Sequence, residues 1–446
     1  MGDLIFKRKL YDRMLRWKRE SGGKTALLIR GARRVGKSTL AEEFARSEYK
    51  FRLNIDFSNA SSDVNDLFND ISDLNLFFFR LQAFYNVSLE ERQSVIIFDE
   101  VQLQPKARQA IKHLVKDGRY DYIETGSLLS IKRNVRNIVI PSEETRVNLY
   151  PMDYEEFRWA LGDETTLDML RAALAKKMSL SDALNRKLMR DFRLYMLVGG
   201  MPQAVLEYLN TNNLAMVDNV KRNILELYDD DFHKIDARGR TSLLFKAIPS
   251  ELNRNASRYS VGNVIDGVRS ERMYETIGEM IDSMTVNVAY HANDPAVGMA
   301  LHKDVRRYKL YAGDTGLFVT LAFFDRDYVD NKLYSKLLSD KLSVDLGYVY
   351  ENVVAQMFRA AGNELYYYTF PKENSNHNCE IDFLLSREDK ICPVEVKSSG
   401  YKTHASLDAF SLKFSSRILR QYLLYTKDLR KEGNVLYLPV YMAGLI

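Results

Sequence analysis

Apolar residues run unbroken over 26–29 and 95–98, recur at three and four positions from 153 to about 240, and alternate with charged ones in EIDFLL (380–385) and ICPVEVK (391–397). Each pattern predicts a different element. Unbroken runs of this length suit strands covered on both faces, the three-and-four spacing suits helices with one apolar stripe, and strict alternation suits strands with one dry face. The aromatic run LFFFRLQAFY (76–85) is broken by Arg80 and reads as a packed helix. Residues 242–291 give three helical patterns and then a β-rich segment, the order of a winged helix-turn-helix. Its last helix, Ser270–Ser283, carries Arg272, with Arg269 just before it, and such residues reach bases or phosphates in a recognition helix or serve only a scaffold.

Composition changes this picture little. A chain of 446 residues suits roughly three domains, and 46% hydrophobic with 28% charged residues is globular usage. No stretch reaches the roughly 18 apolar residues of a membrane span. The first twenty residues carry seven Lys or Arg against three acids but no apolar run behind them, so they do not read as a secretory signal, and a cytoplasmic protein without membrane contact is expected. Cys379 and Cys392 are the only cysteines, which excludes a disulfide framework and a four-cysteine zinc site. A net charge of +4 permits nucleic-acid contact without indicating it.

The chemistry begins at the first strand. Gly31-Ala32-Arg33-Arg34-Val35-Gly36-Lys37-Ser38, followed by Thr39, fits G-x-x-x-x-G-K-S between a strand and the helix TLAEEFAR. Its glycines let backbone N–H groups curl around a β-phosphate, Lys37 would bridge β- and γ-phosphates, and Ser38 would reach Mg²⁺. SVIIFDEVQ (94–102) supplies the partner strand: Asp99 would hold Mg²⁺ through water and Glu100 would polarise the attacking water. ATP and Mg²⁺ are the cofactors this pair calls for. At the tip of a third strand, YDYIETGS (120–127), Thr125 or Ser127 would sense the γ-phosphate or merely cap a turn. Arg146 would act as an arginine finger, within the subunit or from a neighbour, or stand as a solvated surface charge.

The segments GARRVGKST, IIFDEVQ, ETGSLLS, LYPMDYEEF, VGGMPQAV (198–205), KLYAGDTGL (309–317), YENVVAQMF (350–358), EIDFLL and PVEVKSS, in this order, resemble a bacterial and archaeal family of AAA-type ATPases joined to a C-terminal domain of uncharacterised function. The resemblance implies an ATP-binding and ATP-hydrolysing core, a helical segment, a winged-helix unit and a nuclease-like end. The expected fold is therefore a multidomain α/β chain: a P-loop parallel sheet with helices at 1–152, a helical lid or linker at 153–240, a winged helix at 241–325, and a restriction-endonuclease-like α/β domain at 326–446. Gly199-Gly200-Met201-Pro202 reads either as a tight turn packing the lid near the nucleotide or as a plain turn between helices.

Alternation gives the end of the chain its own site. Glu395 and Lys397 share one strand face, as do Glu380 and Asp382. If Ser386 pairs with Ile391 across the loop REDK, Asp382 falls opposite Glu395, and Glu351 on the upstream helix can point into the same patch. This set resembles the PD-(D/E)xK nucleases. The resemblance implies a second Mg²⁺ or Mn²⁺ held by Glu351, Asp382 and Glu395, with Lys397 stabilising phosphate charge. The acids equally suit an inert salt-bridge network, so the module either cuts DNA or serves as a switch read by a protein partner. His377 and Cys379 read as incidental.

Overall fold

The computed structural model describes residues 4–126, 141–254, 256–268, 270–324, 338, 347–372, 378–399 and 403–446. The chain forms two compact units, Met1–Tyr150 with Asp282–Met284, and Pro151–Ile281 with Thr285–Ile446.

In the first unit, β1 (Ala26–Arg30), β2 (Phe51–Asp56), β3 (Ser94–Asp99), β4 (Asp121–Gly126) and β5 (Glu144–Asn148) build a parallel sheet in the order β2-β3-β4-β1-β5. Both faces are dry, which explains the unbroken apolar runs: Leu28, Ile96 and Phe98 pack with Phe77, Phe78 and Leu81 on one side, and Leu27, Ile29 and Ile97 with Leu40 and Phe44 on the other. The aromatic run lies in the helix Leu74–Tyr85, but only its inner half is packed, since Phe79 is 70% and Phe84 51% exposed. One topological fact sets up the site. Because β4 stands between β1 and β3, its tip lies between the glycine loop and the acids that end β3.

The second unit holds the expected helices, among them Tyr154–Ala160, Asp182–Val198, Pro202–Thr211 and Leu214–Ile235. It also holds a mixed sheet of β6 (Val286–Ala292), β7 (Lys303–Ala312), β8 (Leu365–Pro371), β9 (Asn378–Arg387), β10 (Lys390–Val396), β11 (Gln421–Tyr425), β12 (Arg430–Glu432) and β13 (Val435–Pro439), in the order β12-β13-β11-β10-β9-β8-β6-β7. The boundary expected at 325/326 runs through this sheet: the strands read as the wing, β6 and β7, extend it, with β6 parallel to β8. The expected recognition helix is divided into a 3-10 turn, Ser270–Met273, with Arg272 exposed, and a helix, Tyr274–Asp282. Arg269 and His377 lie outside the described residues.

Four of the segments singled out by resemblance, those holding Met152, Gly200, Asp314 and Gln356, meet in a buried polar hub. Asp314 accepts the Gly200 N–H at 2.6 Å and caps the helix Thr315–Ala322 through the Leu317 N–H at 2.9 Å. Gln356 accepts from the Thr315 N–H at 2.7 Å and donates to the Tyr195 hydroxyl at 3.0 Å, which in turn donates to the Met152 carbonyl at 2.9 Å. Lys221 donates to the Leu197 carbonyl at 2.7 Å. Each buried polar group thus has a partner, as burial away from water demands. Within its own unit, the Gly199-Gly200 turn packs on the segment Asp314–Gly316.

Candidate functional site

The glycine loop leaves β1 at Arg30 and ends at Gly36, whose φ of 94° suits a residue without a Cβ. The helix Lys37–Glu48 starts there with no side-chain cap, and its first bond runs from the Leu40 N–H to the Gly36 carbonyl at 3.0 Å. The N–H groups of Lys37, Ser38 and Thr39 therefore have no partner inside the helix, which makes its start an anion site. Ala32 and Val35 are buried and anchor the loop, Arg33 is half-buried, and Arg34 and Thr39 are exposed. Arg8 braces it by donating to the Val35 carbonyl at 3.0 Å.

Lys37 lies buried under the loop, donating to the carbonyls of Ala32 at 3.0 Å and Gly31 at 3.2 Å. Burial pulls its pKa down, while the nearby charges of Glu100 and Asp99 pull it back up. Ser38 Oγ donates to Asp99 Oδ1 at 2.7 Å, and Thr125 Oγ1 donates to the same oxygen. The Glu100 N–H donates to Thr125 Oγ1 at 3.2 Å, holding Glu100 at φ 52°, a left-handed conformation rare outside glycine. Its carboxylate accepts from Gln102 Nε2. The residues present fit a nucleotide and Mg²⁺: open N–H groups, an ammonium, and a hydroxyl and a carboxylate converging on one point.

Of the two sensing residues left open by sequence, Thr125 is buried in this network and Ser127 lies outside the described residues. Arg146 stands opposite Leu28 on the edge strand β5, 45% exposed, and its Nε donates to Glu144 at 3.1 Å. Glu144 is also clasped by the buried Arg108 through two bonds of 3.0 Å. Beside this pair Glu124 is fully buried, and burial followed by the Glu144 charge raises its pKa well above the usual carboxylate range.

In the second unit, Ile391 pairs with Ser386, the register under which Asp382 falls opposite Glu395, although Lys390 also pairs with Arg387 and the turn narrows to Glu388-Asp389. Asp382 accepts the Val396 N–H at 2.7 Å, and Lys397 Nζ lies 2.7 Å from Glu395 Oε1. The helix Gly347–Ala360 brings Glu351 to the same face, where it accepts from the Tyr311 hydroxyl at 3.4 Å. The unforeseen member is Lys309 of β7, ion-paired with Glu380 and 3.8 Å from Glu351. Burial pushes Glu351 up to about 7 against the pull of Lys309, with Asp382 and Glu380 adding to the rise. It raises Glu380 and Glu395 too.

A family model described as an AAA domain matches residues 23–158, which span the glycine loop, both acids of β3 and Thr125. The front of the chain is an AAA-type P-loop domain. Two further models, each described as a domain of unknown function, match residues 189–328 and 346–442. No curated protein matches the chain. Among solved structures, a Walker-type ATPase of Pyrococcus abyssi is similar at 16% identity and TM-score 0.41, over 71% of this chain and 96% of that one. A signal-transduction ATPase with a tetratricopeptide-repeat sensor from Pyrococcus horikoshii is similar at 12% identity and TM-score 0.29, over 79% of this chain and 48% of that one. Cdc6p of Pyrobaculum aerophilum is similar at 10% identity and TM-score 0.25, over 77% of this chain and 97% of that one. Likenesses at these scores decide nothing about the reaction.

In the first unit, sequence reading missed Gln102 and Arg8, and in the second unit it missed Lys309. Gln102 sits two residues beyond Glu100 and was within reach of motif reasoning, whereas Arg8 and Lys309 carry no local signal. The expected second Mg²⁺ or Mn²⁺ site is not supported: among the described residues, no group of three or more His, Cys, Asp or Glu side chains is arranged to hold an ion.

Proposed function

We propose that this protein is a Mg²⁺-dependent ATP hydrolase whose nucleotide state governs its C-terminal module. The supporting observation is the convergence of the Ser38 and Thr125 hydroxyls on one oxygen of Asp99, with Glu100 next in the chain and tied by its own N–H to Thr125. Ser38 and Asp99 would hold Mg²⁺, which neutralises phosphate charge when bound. The open N–H groups of Lys37, Ser38 and Thr39 receive phosphate oxygens, and Lys37 exchanges two loop carbonyls for them. Glu100 accepts a proton from water as the general base. Thr125 links the acid that faces the metal to the acid that faces the water, so a change at the γ-phosphate reaches both. Arg146 serves as a finger only after leaving Glu144.

Steady-state phosphate release by the full chain is expected to require Mg²⁺ and to vanish in Lys37→Ala. Stimulation by single-stranded DNA, double-stranded DNA or RNA would name the class on which the module acts, and DNA is the class suggested by the nuclease-like register and the exposed Arg272. Turnover no greater than that of Lys37→Ala would sink the hydrolase reading.

A second reading has its own support. Lys309 sits on the acids of the nuclease-like patch, which favours a regulatory switch whose inert C-terminal module binds a protein partner.

A further inference from the structure

The patch of Glu351, Glu380, Asp382 and Glu395 sets four carboxylates on one face of the second unit. Like charges this close repel unless cations or protons intervene. In a metal-dependent phosphodiesterase the cation is a divalent ion. Here its place is contested by groups of the chain. Lys309 reaches Glu380 and Glu351, Lys397 holds Glu395, and the Val396 N–H occupies Asp382. Strand order makes the Lys309 contact notable, because β7 and β9 are separated by β6 and β8, so two long side chains must reach across the face of the sheet.

We propose that Lys309 is the resident cation of this carboxylate patch and keeps a divalent ion out of it. This rests on the position of the ammonium between two acids and not on the ATPase reading. Lys309 is 5% exposed, and its ammonium lies 5.5 Å from the centroid of the Tyr367 ring, so packing holds it in place. Its ammonium is ion-paired with Glu380 and stands 3.8 Å from Glu351, so two acids of the patch already share one cation. The positive charge of Arg307 also acts on Glu380 from outside the patch. A divalent ion entering here would have to displace a buried charge already hydrogen-bonded to its acids, or sit beside it and be repelled. Glu395 Oε2 is buried and without a hydrogen-bond partner among the described residues, so it is an acceptor of the patch still unsatisfied.

The test uses the full chain carrying Asp99→Asn, without nucleotide, so that the AAA domain adds no metal signal. Mn²⁺ binding is followed by electron paramagnetic resonance and calorimetry. The parent is expected to show weak binding at most. Lys309→Met should bind Mn²⁺ tighter on the order of ten-fold or more, the charge being gone and the bulk kept. Adding Glu395→Gln should cancel that gain, and Lys309→Arg should behave as the parent. If Lys309→Met does not fold, Lys309→Gln keeps a donor for Glu380 and serves in its place. Tight binding by the parent that Glu395→Gln removes and Lys309→Met leaves unchanged would overturn the proposal. So would no gain in any folded Lys309 variant, because the ammonium would then not be what excludes the ion. Mn²⁺-dependent nicking of supercoiled DNA by the wild-type chain that is lost in Glu395→Gln would overturn it as well.

Discussion

Replacing Glu100 by glutamine is expected to lower ATP turnover on the order of a hundred-fold or more while leaving nucleotide affinity close to wild type. The substitution keeps shape and removes charge. A glutamine carbonyl can still accept from Gln102 Nε2, and the backbone N–H that bonds Thr125 at 3.2 Å is untouched, so the left-handed turn at this residue should persist. What is lost is a carboxylate able to take a proton from water. Asp99→Asn should behave differently, because Asp99 Oδ1 accepts from both Ser38 and Thr125. There the metal site itself is weakened, and turnover should fall together with Mg²⁺-dependent affinity. Phosphate release and equilibrium binding of a fluorescent ATP analogue, measured on both variants, separate the two roles. A Glu100→Gln enzyme turning over within a few-fold of the parent would show that another group activates the water.

The same region shows what sequence can carry. The placement of Gly31 to Ser38 and of Asp99-Glu100 was legible because each depends on a local frame: a loop entering a helix, and acids ending a buried strand. Glu395 and Asp382 were legible for a similar reason. Alternation fixed their faces, and pairing Ser386 with Ile391 fixed their register. The contact of Thr125 with Asp99 was not legible, since it depends on β4 lying between β1 and β3, a matter of strand order. Lys309 was harder still. It sits in a strand that nothing local ties to β9, and its meaning comes from contacts made across two intervening strands. Arg146 looked free in the sequence because Glu144, two residues earlier on the same strand face, was not weighed as its partner. The place of β6 and β7 in the C-terminal sheet was not legible, because hydrophobic pattern identifies a strand but not its neighbours.

Gly200→Ala should destabilise the second unit on the order of 3 kcal/mol, at the upper end of overpacking substitutions. A Cβ at Gly200 would press on the Met152 carbonyl, with the Met152 nitrogen at 2.6 Å and its carbonyl carbon at 2.9 Å, and these are backbone atoms that cannot swing aside as a side chain would. Relief requires the turn to move, which strains the 2.6 Å bond from the Gly200 N–H to Asp314 and the 2.7 Å bond from the Met152 N–H to the Gly200 carbonyl. Asp314 is buried, and a weakened partner there exposes the desolvation cost that burial already expresses as a raised pKa. Gly278 provides the contrast. It lies in the helix Tyr274–Asp282 with open space around its Cβ position, so Gly278→Ala should raise stability by about 0.5–1 kcal/mol through helix propensity and chain entropy. The chain has two tryptophans, Trp17 in the first unit and Trp159 in the second, so urea unfolding in a Trp17→Phe background follows the second unit through Trp159 alone. Equal midpoints for Gly200→Ala and its parent would mean that the turn yields without cost, and the hub formed by Gly200, Asp314 and Gln356 would then not be the rigid core of this unit.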